Sequence, residues 1–234
     1  MRIESSMTMK FMVIVLLLTG RFAKSEEAEK VMGKIHISLP KPALAGPLSL
    51  EESIERRRSI RDFADDSLNL EQISQLLWAA QGITGSGGLR AVPSAGALYP
   101  LEIYLLVGRV RNIDPGLYRF VPSGQRLLLL SKRPVFDELV DSVVFQNWVD
   151  DAAVALIITA VYERVTRKYG ERGVRYAHLE AGCAVQNIYL QTVSLGLGTT
   201  VIGAFDDYRI SKLLGLPKGE NPLAILPIGR PATK

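Results

Sequence analysis

The order of apolar patterns along the 234 residues predicts an α+β domain. Helical stretches and strands follow one another without the regular strand–helix alternation of a parallel sheet, and a strand–turn–strand pattern sits mid-chain. No repeat and no composition break divides the sequence. With 47% apolar and 22% charged residues, one domain of this length can bury a sizeable core.

Residues 1–25 place Arg2 and Lys10 before an apolar run at 11–18. The run is too short to span a bilayer as a helix. It reads as the h-region of a signal peptide or as a membrane tether, with Ala23-Lys24-Ser25 as a small-x-small cleavage site. An N-terminal core strand or helix is the competing reading. Export is therefore expected, a true start at Met7 or Met9 would remove the unusual Glu4, and the location is cytoplasmic if the start is misassigned. Residues 26–48 form a polar, proline-containing lead-in draped over a domain at 49–234.

Ser49 and Glu52 make a capping box, opening a helix that carries Leu50, Ile54 and an arginine cluster at its end. Asn69 caps a second helix, with Leu70, Ile73, Leu76, Leu77 and Ala80 on one face and Gly82 as its stop. A buried strand at 102–107 follows. Strands at 116–120 and 126–130, joined through Pro122-Ser123-Gly124, read as a hairpin. Residues 136–144 are helical and 153–161 form a continuously apolar central strand. A long helix spans 176–195, with Ala177, Ala181, Ala184, Val185, Ile188 and Leu195 on its apolar side. A strand at 198–202, a short helix capped by Asp206 or Asp207 and a last strand at 223–229 complete the domain.

The formal charge is +4, much of it in local clusters, which suits an anionic small ligand. No long basic run carries interleaved aromatics, so nucleic-acid binding is not expected. The single cysteine, Cys183, excludes an intrachain disulfide and reads as a buried packing thiol. With two histidines and no ligand spacing among His, Cys and carboxylates, no metal is expected. Gly85-Ser86-Gly87-Gly88 lacks the Lys-Ser/Thr of a phosphate loop, and there is no dinucleotide-binding fingerprint.

The stretch Arg56-Arg57-Arg58-Ser59-Ile60-Arg61 concentrates four guanidiniums and a hydroxyl. Guanidinium forks match phosphate oxygens two at a time. Arg57 and Arg61, four apart, would share a face on a helix or its last turn. A solvated basic helix end is the alternative, and for Arg56 the preferred one. Pro93-Ser94-Ala95-Gly96 offers small side chains that let backbone amides approach a flat ring. Val201-Ile202-Gly203-Ala204 follows a buried strand and presents further amides.

Taken with Gly-Leu-Gly-Thr-Thr at 196–200 and Pro-Ile-Gly-Arg-Pro at 227–231, these motifs stand in an order that resembles the nitroreductase superfamily of FMN oxidoreductases, and within it the SagB-type, thiazole/oxazole dehydrogenase-like branch. The resemblance covers residues 48–231. It implies a mainly antiparallel sheet flanked by helices, and an intertwined homodimer with FMN at the subunit interface. Arg57, Ser59 and Arg61, with Arg58 as an adjunct and Arg230 from the last strand, would hold the phosphate. Pro93, Ser94, Ala95 and Gly96 would reach the flavin from the partner subunit. Ile202, Gly203 and Ala204 would face flavin N5, and Gln146, or Asn147 one residue on, the pyrimidine edge. Lys168-Tyr169 resembles the Lys-Tyr pair that removes a proton from an azoline ring in that branch; an exposed basic loop is the other reading.

The implied activity moves a hydride through flavin N5 between two substrates, one of them a small molecule or peptide-derived ring. The alternatives are reduction of nitro or quinone compounds with a nicotinamide donor, and a flavin-binding protein without turnover.

Overall fold

The computed structural model describes residues 35–144 and 147–232. Seven strands form one sheet in the order β1-β4-β3-β2-β5-β7-β6. They are β1 (His36–Ser38), β2 (Leu101–Val107), β3 (Gly116–Val121), β4 (Arg126–Ser131), β5 (Val154–Val161), β6 (Gly198–Thr199) and β7 (Glu220–Gly229). Every pair of named strands runs antiparallel. The α+β expectation holds, and with it the predicted hairpin, which is β3–β4.

Six α-helices flank the sheet: α1 (Leu50–Arg56), α2 (Leu70–Gln81), α3 (Phe136–Val140), α4 (Glu163–Tyr169), α5 (Arg172–Ser194) and α6 (Asp207–Leu214). Two cores result. Ile103, Leu105, Leu156, Ile158 and Leu226 point to the side covered by Leu76 and Leu77 of α2 and Ala184 and Ile188 of α5. The alternate residues, Tyr104, Leu106, Ala155, Ile157 and Ile225, meet Leu139 of α3 and Ile210 and Leu214 of α6. A sheet covered on both faces favours apolar residues at nearly every position, which is why β5 is apolar throughout except at Thr159, whose buried hydroxyl donates to Glu220. Among the described residues no helix is long and apolar enough to cross a membrane, and no group of His, Cys, Asp and Glu is placed to hold a metal. The segment 1–25 lies outside the described residues, as do residues 26–34 of the lead-in.

Five expectations change. Within the lead-in, His36–Ser38 is a strand pairing with β4 rather than a drape, so the sheet has one more member than the pattern announced. Three residues are too few for period-2 alternation to register. The capping box of α1 is half formed: Ser49 accepts from the Glu52 amide, but the Glu52 carboxylate turns to Arg56. The long helix begins at Arg172, one turn before Tyr176, and Lys168-Tyr169 lies on helix α4 rather than in a loop. Cys183 is exposed, not buried, because it falls on the side of α5 that faces away from both cores.

The arginine stretch departs most usefully from expectation. Helix α1 ends at Arg56, and Arg57 is its extended C-cap (φ −56°, ψ 121°). Residues beyond it do not share a helical face. They run along β6, where the Ile60 amide donates to the Thr199 carbonyl (2.9 Å) and Ser59 pairs with Thr199 in parallel. A Cβ on Gly198 would sit 2.7 Å from Ile60 Cβ, so only glycine lets the segment lie this close. It then passes the end of β7, with the Ala64 amide on the Arg230 carbonyl at 2.9 Å.

Candidate functional site

Extended backbone turns alternate side chains to one side. Arg57, Ser59 and Arg61 therefore gain by period 2 what a helix would have given by period 4. Ser59 Oγ meets Tyr189 Oη at 3.2 Å, and the Arg57 guanidinium lies over the Tyr189 ring, 5.3 Å from its centre. The Arg61 guanidinium lies 6.0 Å from the centre of the Trp148 ring. Arg230 reaches the same neighbourhood through its backbone, while its side chain pairs with Asp66 at 2.9 Å. Both partners are about half exposed, and such a pair contributes about 0–1 kcal/mol. An arriving anion can displace it. Arg58 does something else: its Nη1 donates to the carbonyls of Glu55 (2.9 Å) and Arg57 (2.7 Å) and so closes the end of α1. Arg56 pairs with Glu52 on the surface.

Tyr189 is the residue sequence reading missed. Its hydroxyl accepts from the Val201 amide (2.8 Å) and lies 3.4 Å from Thr200 Oγ1. One phenol thus joins the arginine stretch, helix α5 and the loop after β6. The signal was present: a tyrosine interrupts the apolar face of the long helix next to Ile188.

The Val201–Ala204 amides divide. Val201 N–H is committed to Tyr189, and Ile202 N–H to the Ile225 carbonyl (2.8 Å). Ile202 is buried in the core and anchors the loop. Gly203 and Ala204 N–H have no acceptor among the described residues. An open slot of about 460 Å³ lies beside Gly203, bounded by His178, Ala181, Gly182 and Val185 of α5, by Phe205 and Asp207, and by Pro222–Ala224 of β7. An added Cβ would touch nothing on either Gly182 or Gly203, so both bordering glycines face open space. His178, Gly182, Val185 and Tyr189 recur every three or four residues and share one face of α5. From Gly182 to Tyr189 is about 10 Å along the helix. The slot and the arginine stretch are thus neighbours on one helix face.

The Ser94 loop is elsewhere. Ser94 Oγ accepts from the Tyr99 amide at 2.9 Å. Gly96, Ala97 and Tyr99 all have positive φ (63°, 54° and 46°), a tight turn that only Gly96 makes without strain. Behind the loop, Glu180 of α5 is buried. Burial pushes its carboxyl above the ordinary carboxylate range, against the opposing pull of Ser94, Gln81 and Arg90 beside it. Arg90 donates to Gln81 (2.8 Å) and lies over the Tyr99 ring. Burial lowers its guanidinium pKa, which Glu102 and Glu180 oppose. Glu180 and Tyr189 are nine residues apart, half a turn round α5 and about 13.5 Å along it. Within one chain, the Ser94 loop and the arginine stretch are not brought together.

Lys168 and Tyr169 join the Ser94 loop instead. A Cβ on Gly96 would lie 2.8 Å from Tyr169 Oη and 3.1 Å from Lys168 Nζ. Tyr169 also stacks edge-on against Tyr176, with ring centres 5.3 Å apart. Gln146 lies outside the described residues, and so does the side chain of Asn147.

The comparisons decide the family. A profile described as the nitroreductase family matches residues 54–230. The chain belongs to the nitroreductase family. A Methanocaldococcus jannaschii protein that carries the name of a nitroreductase is 42% identical over 183 residues, covering 78% of this chain and 91% of its own length. The Escherichia coli Microcin B17-processing protein McbC is 30% identical over 176 residues, 70% of this chain and 63% of McbC. A nitroreductase structure from Ralstonia eutropha superposes with a TM-score of 0.74 at 27% identity, covering 86% of this chain and 92% of that one. This nitroreductase-family chain is an oxidoreductase, built on the family's antiparallel sheet with helices on both faces.

Proposed function

We propose that the chain is an FMN-dependent dehydrogenase of the SagB type, acting as a homodimer. The observation that carries this reading is the convergence of Arg57, Ser59 and the Gly182–Gly203 slot on one face of α5 through Tyr189. The residues fit a molecule with a phosphate at one end and a flat ring at the other. Arg57, Ser59 and Arg61 would hold the phosphate, joined by Arg230 once Asp66 is displaced. Gly203 and Ala204 N–H would face the ring, and Gly182 leaves it room. Bound there, FMN supplies the site that accepts and returns a hydride.

The separation of the Ser94 loop from the arginine stretch supports a site completed by a second subunit. On that reading the partner's copy of the loop covers the ring and carries the Lys168–Tyr169 pair to it. Lys168 would take the proton that leaves a peptide-derived ring as its hydride departs. The likeness to a protein that processes microcin B17 supports a substrate of this kind. Reduction of nitro or quinone compounds with a nicotinamide donor is the second reading, supported by the likeness to the M. jannaschii protein. Export through the N-terminal segment stays part of the proposal.

Anaerobic stopped-flow on the purified yellow protein tests the assignment. An azoline peptide that bleaches the flavin supports the dehydrogenase. Bleaching by NADH or NADPH alone replaces it with the reductase.

A further inference from the structure

The far end of the slot carries a pair of side chains that the site described so far does not use. Tyr162 stands where β5 passes into α4, and His178 lies on the slot-facing side of α5. Tyr162 Oη and His178 Nε2 are 2.7 Å apart, with the rings edge to face at 5.6 Å. Around the pair this end is lined by Val185, Phe205, Pro222 and Leu223, with the Asp207 carboxylate as its one charged group among the described residues. A hydrogen-bonded phenol and imidazole in a slot lined mainly by apolar residues are equipped to pass one proton to a flat, oxygen-bearing molecule.

We propose that Tyr162 and His178 deliver the proton that accompanies hydride transfer to the electron acceptor, an inference that rests on the flavin reading above. The balance is complete. The acceptor's C=O or N=O takes a hydride equivalent from the reduced cofactor. Tyr162 gives its hydroxyl proton to the oxygen that gains charge, and the imidazolium of His178 restores that proton from Nε2. The acceptor leaves reduced by two electrons, and His178 is reprotonated from solvent, to which it is exposed. Lys168, against the Ser94 loop, then serves the opposite half-reaction, so each half has its own proton group.

The surroundings suit the role. Burial, with the Asp207 carboxylate second, raises the Tyr162 pKa, so the phenol keeps its proton until an acceptor demands it. Beside the pair the slot is lined by Asp207 of α6 and by uncharged residues of β7; on α5, Arg175 precedes His178 by three positions and Glu180 follows it by two.

His178 and His36 are the only histidines, so imidazole NMR reads His178 against an internal reference. The first measurement adds a naphthoquinone to the FMN-loaded, oxidised protein, where no turnover occurs. His178 signals should move and those of His36 stay. The second photoreduces the bound flavin and follows its anaerobic reoxidation by the same quinone from pH 5 to 9. Wild type should slow as the pH rises. His178→Gln and Tyr162→Phe should be at least about tenfold slower at the low-pH end and lose the pH dependence, with FMN affinity within about twofold of wild type. Flavin-loaded variants with wild-type rate and profile, or an unmoved His178, overturn the inference alone. Wild-type protein that binds no FMN overturns the flavin reading and this inference with it.

Discussion

Ser59 and Tyr189 meet at 3.2 Å across 130 residues of chain. Tyr189 also takes the Val201 amide, so a single hydroxyl fixes the spacing between the phosphate-binding stretch and the loop beside the slot. Removing it should loosen both at once. Tyr189→Phe deletes the acceptor for a part-buried amide and is expected to cost about 1–3 kcal/mol of stability. It should also weaken FMN binding with all arginines in place. Urea unfolding and flavin titration on the same preparation measure the two effects.

Arg57→Ala combined with Arg61→Ala should abolish flavin retention. Two charge-assisted hydrogen bonds at about 1.5–3 kcal/mol each set an upper range of about 3–6 kcal/mol, less where the pair is coupled. Arg56→Ala, on the exposed pair with Glu52, serves as the control and should leave absorbance unchanged. Near-wild-type affinity in the double variant would remove the stretch from the cofactor site.

Gly96→Ala should separate cofactor binding from turnover. The backbone there has φ +63°, and the new methyl would press on Tyr169 Oη and Lys168 Nζ. Left-handed backbone costs an alanine about 1–2 kcal/mol, a loss the fold should survive. The yellow colour should persist while the dehydrogenation rate falls as in Lys168→Ala. A Gly96→Ala rate equal to wild type would return the pair to the surface.

Glu180 gives a prediction about pH. Its folded-state pKa is raised above the ordinary 4.5, chiefly by burial, so the folded chain holds this proton more tightly than the unfolded chain. Its contribution is therefore fully present below pH 4.5 and is lost as the pH rises through the folded value. Glu180→Gln removes the ionisation. The variant should gain on wild type in thermal unfolding as pH climbs from 4.5 towards neutrality, and the difference should vanish in acid. A difference independent of pH would mean that the carboxyl ionises as it does in the unfolded chain.

Much of the fold was legible because long elements carry period. Helix α2 announced itself by Asn69, its apolar face and Gly82, and forms with a complete capping box. Strand β5 was legible through composition, since burial on two faces leaves a single polar position, Thr159, whose hydroxyl finds the Glu220 carboxylate. The three-residue strand at His36–Ser38 was not, because pairing with β4 creates it and its own side chains do not. The arginines are recognisable as a group, but helical period misplaces them: the helix stops at Arg56, and contact with β6 holds the remainder extended. Tyr189, Tyr162 and His178 leave no mark in the pattern for one reason. A single polar residue on a buried helix, or at a strand end, signals nothing until its distant partner is known.

Helix α5 carries Tyr189 on one side and Glu180 on the opposite side, nine residues earlier. That arrangement makes the helix intolerant of length change in a way no single contact is. One residue inserted between them would rotate the later part by about 100° relative to the earlier part and advance it by 1.5 Å. Tyr189 could not then reach Ser59 while Glu180 stayed beneath its own loop. Substitutions along the interval can be absorbed one at a time. Insertions and deletions cannot, so across descendants of this sequence the count between the two residues should outlast their chemical identity.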